Sequence, residues 1–140
     1  MPTPGNIIDQ LRRDEGVRNF PYTDTTGHIT IGVGRNLTVV GISDPEIEVL
    51  LVDDVQSVIR ILEARLPYFS ALDPVRQGVL INMTFNLGFD GLEGFRGMLT
   101  AVARGDWEAA AAAMLESEWA KQVGDRATRL AQQMTTGEWT

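Results

Sequence analysis

Apolar residues near the start of the chain recur with the period of an amphipathic helix, predicted over Gly5–Glu15. Ile7 and Leu11 lie four residues apart on one helical face. Glu15 falls on the same face, and Gly16 supplies a stop signal. A carboxyl group on this apolar face is expected to be partly desolvated, which favours its protonated form.

The following stretch changes from helical periodicity to the alternation of a β-hairpin. Phe20–Asp24 is predicted to form one strand, residues 25–27 a turn, and His28–Val33 the returning strand. Thr30 and Gly32 share the face of the second strand that its apolar side chains do not occupy. Glycine on such a face is typical of strands that a ligand approaches closely, although it also permits a bend or a bulge.

Helical periodicity returns after the hairpin and continues to the end of the chain. Asp44 as N-cap and Pro45 at the first helical position predict a helix of about 20 residues that ends near Arg65. Further helices are predicted over residues 74–86, 92–104, 107–116 and 125–134, with a short turn around Trp119.

These elements predict one α+β, mostly helical domain over residues 1–140, organised in two lobes. A small β-hairpin lobe covers about 16–42, and a long connecting helix covers about 45–65. A helical C-terminal lobe covers about 66–140 and includes the N-terminal helix. A cleft between two such lobes is a common place for a polymer ligand.

Composition narrows the classes of function. The 12 basic and 19 acidic residues give a formal charge of −7, which argues against nucleic acid as the main partner because phosphate contacts need a basic face. No apolar run approaches the roughly 20 residues of a spanning helix, so no stable membrane insertion is expected. The first residues show no secretory signal. With no cysteine and one histidine, neither a metal nor a cofactor is expected.

Glu15 and Asp24 are two carboxyl groups of the kind that cleavage of a glycosidic bond requires. Glu15 on an apolar face is suited to donate a proton, whereas Asp24 lies in a threonine-rich turn that favours its ionised form. Thr30 adds a hydroxyl on the following strand. Taken singly, Asp24 is better explained as a turn residue and Glu15 as a helix-end charge.

The order of the motifs around these residues favours the catalytic interpretation. The motifs are Asp14-Glu15-Gly16, Tyr22-x-Asp24 and Gly27-x-x-Thr30-Ile31-Gly32-x-Gly34. They resemble the phage-type lysozymes of the T4 lysozyme family, in which a glutamate, an aspartate nine residues later and a threonine six residues further form the catalytic triad. The likeness continues in order through residues 81–88, 94–95, 107–110, 117–119, 125–127 and 136–139.

This resemblance implies a lysozyme-like fold and a glycosidase. The implied reaction is hydrolysis of the β-1,4 bond between N-acetylmuramic acid and N-acetylglucosamine in peptidoglycan, with inversion of configuration. Glu15 is implied as the general acid, and Asp24 and Thr30 are implied to hold the attacking water.

The resemblance also assigns substrate-binding positions. Asn82, Phe85 and Asn86 match residues that line the sugar cleft, and Gly32 lies on the bare face of the hairpin. Arg126 matches an arginine that pairs with the catalytic glutamate, and a cation there opposes the effect of desolvation, so the balance stays open. For Phe85, plain core packing is an equally good interpretation.

Three residues depart from the family pattern. Arg35 stands where a histidine forms a familiar ion pair, and Glu118 stands where an arginine lines the cleft. His28 stands where an aromatic residue is often found, and we interpret it as an exposed strand residue and not as a catalyst.

The resemblance implies a monomeric endolysin of a phage or prophage. It would remain in the host cytoplasm until a holin opens the inner membrane and gives access to the peptidoglycan. Two alternatives stay open. A lytic transglycosylase would use one acid and form anhydro products, and a non-catalytic glycan-binding or virion structural module would have no need of Glu15.

Overall fold

The computed structural model describes residues 5–140, which contain seven α-helices and one three-stranded antiparallel sheet. The predicted α+β, mostly helical class is thereby confirmed. Residues 1–4 lie outside the described residues. The expectation that the chain begins without a secretory signal rests partly on these residues. No helix in the described part of the chain is long and apolar enough to cross a membrane.

The chain divides into two compact units, one that ends at Leu50 and one over Leu51–Thr140. We call them the hairpin unit and the helical unit. The hairpin unit contains α1 (Ile7–Glu15), β1 (Arg18–Thr23), β2 (Ile29–Gly32) and β3 (Arg35–Asn36). The strand order β1-β2-β3 makes β2 the central strand. The sequence pattern predicts the hairpin but not β3, because two residues are too few to show an alternation.

Helix α2 (Asp44–Arg65) begins in the hairpin unit and ends in the helical unit. It is followed by a 3₁₀ turn (Phe69–Ala71), α3 (Pro74–Glu93), α4 (Arg96–Arg104), α5 (Trp107–Leu115), α6 (Glu118–Val123) and α7 (Asp125–Thr136). Helix α3 is interrupted at Gly88, whose φ of 72° is not helical. The predicted turn around Trp119 is wrong, since this residue lies in the six-residue helix α6.

The apolar core of the helical unit is formed by side chains of α2, α3, α4, α5, α6 and α7. Its members with 0 % exposure are Leu62, Val79, Leu80, Met83, Leu92, Ala110, Met114 and Met134. Arg76 fixes the end of α7 against α3, because its Nε donates to the carbonyl of Met134 at 2.8 Å. The same guanidinium group lies 4.1 Å from the ring centre of Trp107.

Very few residues of the hairpin unit are buried. Within residues 5–50, Thr30 is the only buried residue, with 4 % exposure. No residue of α1 is buried, and Ile7 and Leu11 remain 61 % and 42 % exposed. The predicted buried stripe on α1 is therefore wrong, and Glu15 is exposed instead of partly desolvated.

Polar contacts join β3 to the start of α2. Arg35 Nη1 donates to Oε1 of Glu46 at 2.9 Å and to the carbonyl of Gly41 at 3.1 Å, while Nη2 lies 2.8 Å from Oε2 of Glu46. Glu46 also accepts from the N–H of Ser43 at 2.9 Å, while the Ser43 hydroxyl accepts from the N–H of Glu46 at 3.4 Å. This reciprocal pair is a capping box, so Ser43 is the N-cap and the prediction of Asp44 is wrong. We call the bidentate pair the Arg35–Glu46 clamp.

The clamp predicts a characteristic pH dependence of stability. The hydrogen bond from Arg35, followed by those from Ser43, lowers the pKa of Glu46 from 4.5 to about 2. A carboxyl with a lowered folded-state pKa contributes its stability above the unfolded pKa and loses it as the pH falls through the folded pKa. We expect Glu46→Gln to lower the midpoint of thermal unfolding at neutral pH, and we expect this difference to shrink as the pH falls from 4.5 towards 2.

Thermal melts followed by circular dichroism measure this difference. Glu48→Gln is the matched control, because Glu48 is an exposed carboxyl on the same turn of α2. A Glu46→Gln effect that stays constant across this pH range would contradict the prediction, as would an equal effect in the control.

Candidate active site

Glu15 ends α1, and its carboxylate lies against Gly34. Gly16 terminates the helix with φ 78°, and its N–H donates to the carbonyl of Arg12 at 3.0 Å. A Cβ atom on Gly34 would lie 3.0 Å from Oε2 of Glu15, which is shorter than an ordinary van der Waals contact. Gly34 also has φ 68°, a conformation that side chains disfavour. The backbone conformation therefore favours glycine here, and a Cβ atom would also displace the Glu15 carboxylate by a few tenths of an ångström.

Asp24 follows β1, and the turn after it fixes one oxygen of its carboxylate. Oδ1 accepts from the N–H of His28 at 2.9 Å and from the N–H and hydroxyl of Thr26 at 2.8 and 2.7 Å. The hydrogen bond from His28, followed by those from Thr26, lowers the pKa of Asp24. The carboxylate is thus held in its ionised form, the state that the polar turn predicts.

Thr30 lies on the central strand, paired with Tyr22 on one side and Asn36 on the other. Its hydroxyl donates to the carbonyl of His28 at 3.3 Å. The same carbonyl accepts from the N–H of Asp24 at 2.9 Å. The main chain of His28 therefore joins Asp24 and Thr30, two members of the predicted triad.

The sequence predicts that His28 is an exposed strand residue, but the structure shows a different environment. His28 lies between the turn and β2, its side chain is 38 % exposed, and Nδ1 is 2.9 Å from the hydroxyl oxygen of Thr26. The available signal was the spacing of Asp24, Thr26 and His28 at every second position. Asp and Thr side chains commonly bond the backbone within such turns.

Gly32 lies on β2 with φ 68°, and a Cβ built there would meet open space. It lines a cavity of the hairpin unit whose wall is mainly apolar, formed with Ile31, Leu37, Ile42, Val49 and Leu50 and the two residues of the Arg35–Glu46 clamp. Gly32 is the last residue of β2, and Thr30, predicted to share a bare face with it, is buried at 4 % exposure.

In the helical unit, Asn82 positions Arg126. Its Oδ1 accepts from Nε of Arg126 at 2.9 Å, and its carbonyl accepts from Nη2 at 3.4 Å. Both residues line a cavity of about 260 Å³ together with Phe85. Phe85 is 47 % exposed, so the interpretation of plain core packing is wrong. The pairing of Arg126 with Glu15 stays a prediction.

Asn86 is held by a buried aromatic residue. Its Oδ1 accepts from Nε1 of Trp119 at 2.8 Å, and Trp119 is 4 % exposed. The ring of Phe95 meets Trp119 edge to face, with ring centres 6.0 Å apart. Glu118 pairs with Lys121 at 3.0 Å, where both side chains are largely exposed, so this pair contributes little to stability.

The predicted site residues thus fall into two groups, each within one unit. The predicted triad and one glycine belong to the hairpin unit, and the other substrate-binding residues belong to the helical unit: Glu15, Asp24, Thr30 and Gly32 in the first, and Asn82, Phe85, Asn86 and Arg126 in the second. In the described part of the chain, no three His, Asp or Glu side chains are arranged to hold a metal ion.

Known proteins match this chain over nearly its whole length. The family model described as phage lysozyme matches residues 12–135. The pre-baseplate central spike protein Gp5 of Enterobacteria phage T4 is 31 % identical over 98 % of this chain, which spans 29 % of that protein's length. The probable T4-type lysozymes 1 and 2 of Dictyostelium discoideum are each 27 % identical over 94 % of this chain and 95 % of their own length.

The contact between Gly34 and Glu15 predicts a selective loss of activity. Ala at Gly34 would adopt a positive φ and push the Glu15 carboxylate aside, whereas Ala at Gly41 (φ 65°) would meet open space. We expect both variants to lose about 1–2 kcal/mol of stability from the backbone alone. Only Gly34→Ala is expected to lose most of its rate of glycan hydrolysis. Equal rates in the two variants would contradict a functional position of Glu15.

Proposed function

Because this chain belongs to the phage lysozyme family, we propose that it is a muramidase. Its reaction is hydrolysis of the β-1,4 bond between N-acetylmuramic acid and N-acetylglucosamine in bacterial peptidoglycan. Family membership supports a glycosidase in general. The muramidase reaction is supported chiefly by one observation. The ionised Asp24 is joined through the main chain of His28 to the hydroxyl of Thr30.

The proposed mechanism divides the work between the two carboxyl groups. Glu15 donates a proton to the leaving oxygen as the bond from that oxygen to the anomeric carbon breaks. Asp24 and Thr30 hold a water molecule on the opposite face of the sugar. The water oxygen forms the new bond to the anomeric carbon, and Asp24 receives the proton that the water loses. Attack from the opposite face inverts the configuration.

The residues of the helical unit are proposed to bind the glycan. Phe85 offers an exposed ring on which a sugar face can pack, and Asn82 and Arg126 line the same cavity with polar groups. The hydrogen bond to Trp119 fixes Asn86 and leaves its amide nitrogen available to donate. Such a combination of an apolar surface with few, fixed polar groups is typical of carbohydrate and other ligand sites.

We further propose that the protein acts as an endolysin and as a monomer. It would stay in the host cytoplasm until a holin opens the inner membrane and would then reach the peptidoglycan. No metal or cofactor enters the proposed reaction, because both proton transfers are assigned to side chains of this chain.

Digestion of purified peptidoglycan tests the reaction. We expect the parent protein to release fragments with muramic acid at the reducing end, identified by mass spectrometry. Glu15→Gln and Asp24→Asn are each expected to lower the rate by roughly 10²–10⁴-fold, the usual contribution of a positioned acid or base. Asp14→Asn is the matched control, since Asp14 is a neighbouring exposed carboxyl that pairs with Arg13 at 2.8 Å.

The same digestion separates the alternatives. Anhydro products together with an undiminished rate in Asp24→Asn would identify a lytic transglycosylase. Activity that is indifferent to Glu15 would overturn the proposed mechanism.

The stereochemical outcome is tested separately. We expect the reducing end that is released first to be the α-anomer, because inversion at a β-linked carbon produces it. Proton NMR recorded during the first turnovers distinguishes the anomers before mutarotation mixes them. A β-anomer as the first product would contradict the proposed position of the water.

The second candidate function is a non-catalytic virion module. It is supported by the 31 % identity with the T4 spike protein, whose length greatly exceeds that of this chain. This candidate predicts that the parent protein and Glu15→Gln bind purified peptidoglycan equally well and release no fragments. Fragment release by the parent would contradict it.

A further inference from the structure

The main chain of His28 makes three hydrogen bonds to members of the predicted triad. Its N–H donates to Asp24 Oδ1 at 2.9 Å, and its carbonyl accepts from both Asp24 and Thr30. Its side chain adds a further connection, because Nδ1 lies 2.9 Å from the hydroxyl oxygen of Thr26. The same hydroxyl lies 2.7 Å from Asp24 Oδ1.

Counting donors and acceptors shows which of the three side chains, Asp24, Thr26 and His28, carries each proton. Oδ1 of Asp24 accepts from two backbone N–H groups, so it carries no proton and can only accept from Thr26. A hydroxyl has one proton to donate. Since Thr26 donates it to Asp24, the contact with His28 exists as a hydrogen bond only if Nδ1 carries the proton. An unconstrained neutral imidazole prefers the proton on Nε2, so the turn selects the less common tautomer.

The hydrogen-bonded path from the imidazole to Asp24 runs through Thr26. Nδ1 lies 3.9 Å from Oδ2 of Asp24, too far for a hydrogen bond. Oδ1 has three donors and no remaining acceptor capacity, because a carboxylate oxygen offers about two lone-pair directions. Oδ2 receives none of these three bonds and is the oxygen left for a reacting water.

We propose that His28 is a positioning residue for Asp24: its Nδ1–H donates to the Thr26 hydroxyl, which donates to Asp24 Oδ1 and fixes the carboxylate with Oδ2 free. The part of this inference that concerns turnover rests on the proposed function. The tautomer does not, because it follows from the contacts alone.

The tautomer is measured by long-range proton–nitrogen NMR of protein labelled with ¹⁵N-histidine. His28 is the only histidine in the chain, so one set of ring signals is observed. At a pH where the ring is neutral, we expect the proton on Nδ1 in the parent and on Nε2 in Thr26→Val. The matched control Thr25→Val removes the hydroxyl of an exposed neighbour and is expected to keep the proton on Nδ1.

Two outcomes of this experiment overturn the proposal. One is a parent protein with the proton on Nε2. The other is a Thr26→Val variant that keeps the Nδ1–H tautomer. Neither outcome depends on enzymatic turnover, so both stand apart from the test of Glu15 and Asp24 by digestion.

Kinetics then test the consequence for the reaction. We expect His28→Ala to lower kcat roughly 10–100-fold, the usual cost of a displaced catalytic group, with little change in KM. His28→Asn carries an amide nitrogen near the position of Nδ1 and is expected to restore most of kcat. An unchanged kcat in His28→Ala would overturn the positioning role. A loss expressed only in KM, or no rescue by asparagine, would overturn it equally.

Discussion

The Arg35–Glu46 clamp ties the third strand of the hairpin unit to the start of α2. Only Thr30 is buried within residues 5–50, so this unit has no fully buried apolar core. Both side chains are more than a third exposed, which weakens such a pair, but its two-point contact still fixes geometry as well as distance. Because it holds β3, it also holds Gly34, against which the Glu15 carboxylate lies.

Local contacts arrange the two other members of the predicted triad. Asp24, Thr26, His28 and Thr30 lie within seven consecutive positions, and the main chain of His28 bonds to both ends of the segment. Closing so short a loop costs little conformational entropy. The carboxylate and the hydroxyl can therefore take up their relative position as soon as the hairpin forms, with no contribution from distant parts of the chain.

The parts of the fold that local chemistry decides could be predicted from the sequence. Gly16 and Gly105 end helices with positive φ, as their positions indicate. The two-residue β3 has too few positions to show a period. Burial of Glu15 was predicted wrongly, because an apolar stripe shows which face a helix can bury and not whether it does.

Some features of the candidate site could likewise be predicted from the sequence, and others could not. The spacing of Glu15, Asp24 and Thr30 is a property of the sequence and leads to the family. The contact of His28 with Thr26 requires a particular turn and particular rotamers, which spacing alone does not specify. The pairing of Arg35 with Glu46 could not be predicted from the sequence either, since Glu46 lies eleven residues away on another element.

The unequal burial in the two units has a consequence for their heat capacity of unfolding. Exposure of apolar surface is the main source of the positive heat capacity change on unfolding. The helical unit, with its fully buried leucines and methionines, has a strongly curved stability profile that declines on cooling as well as on heating. Local opening of the hairpin unit exposes little new apolar surface. Its free energy of opening is therefore expected to vary less steeply with temperature than that of the helical unit.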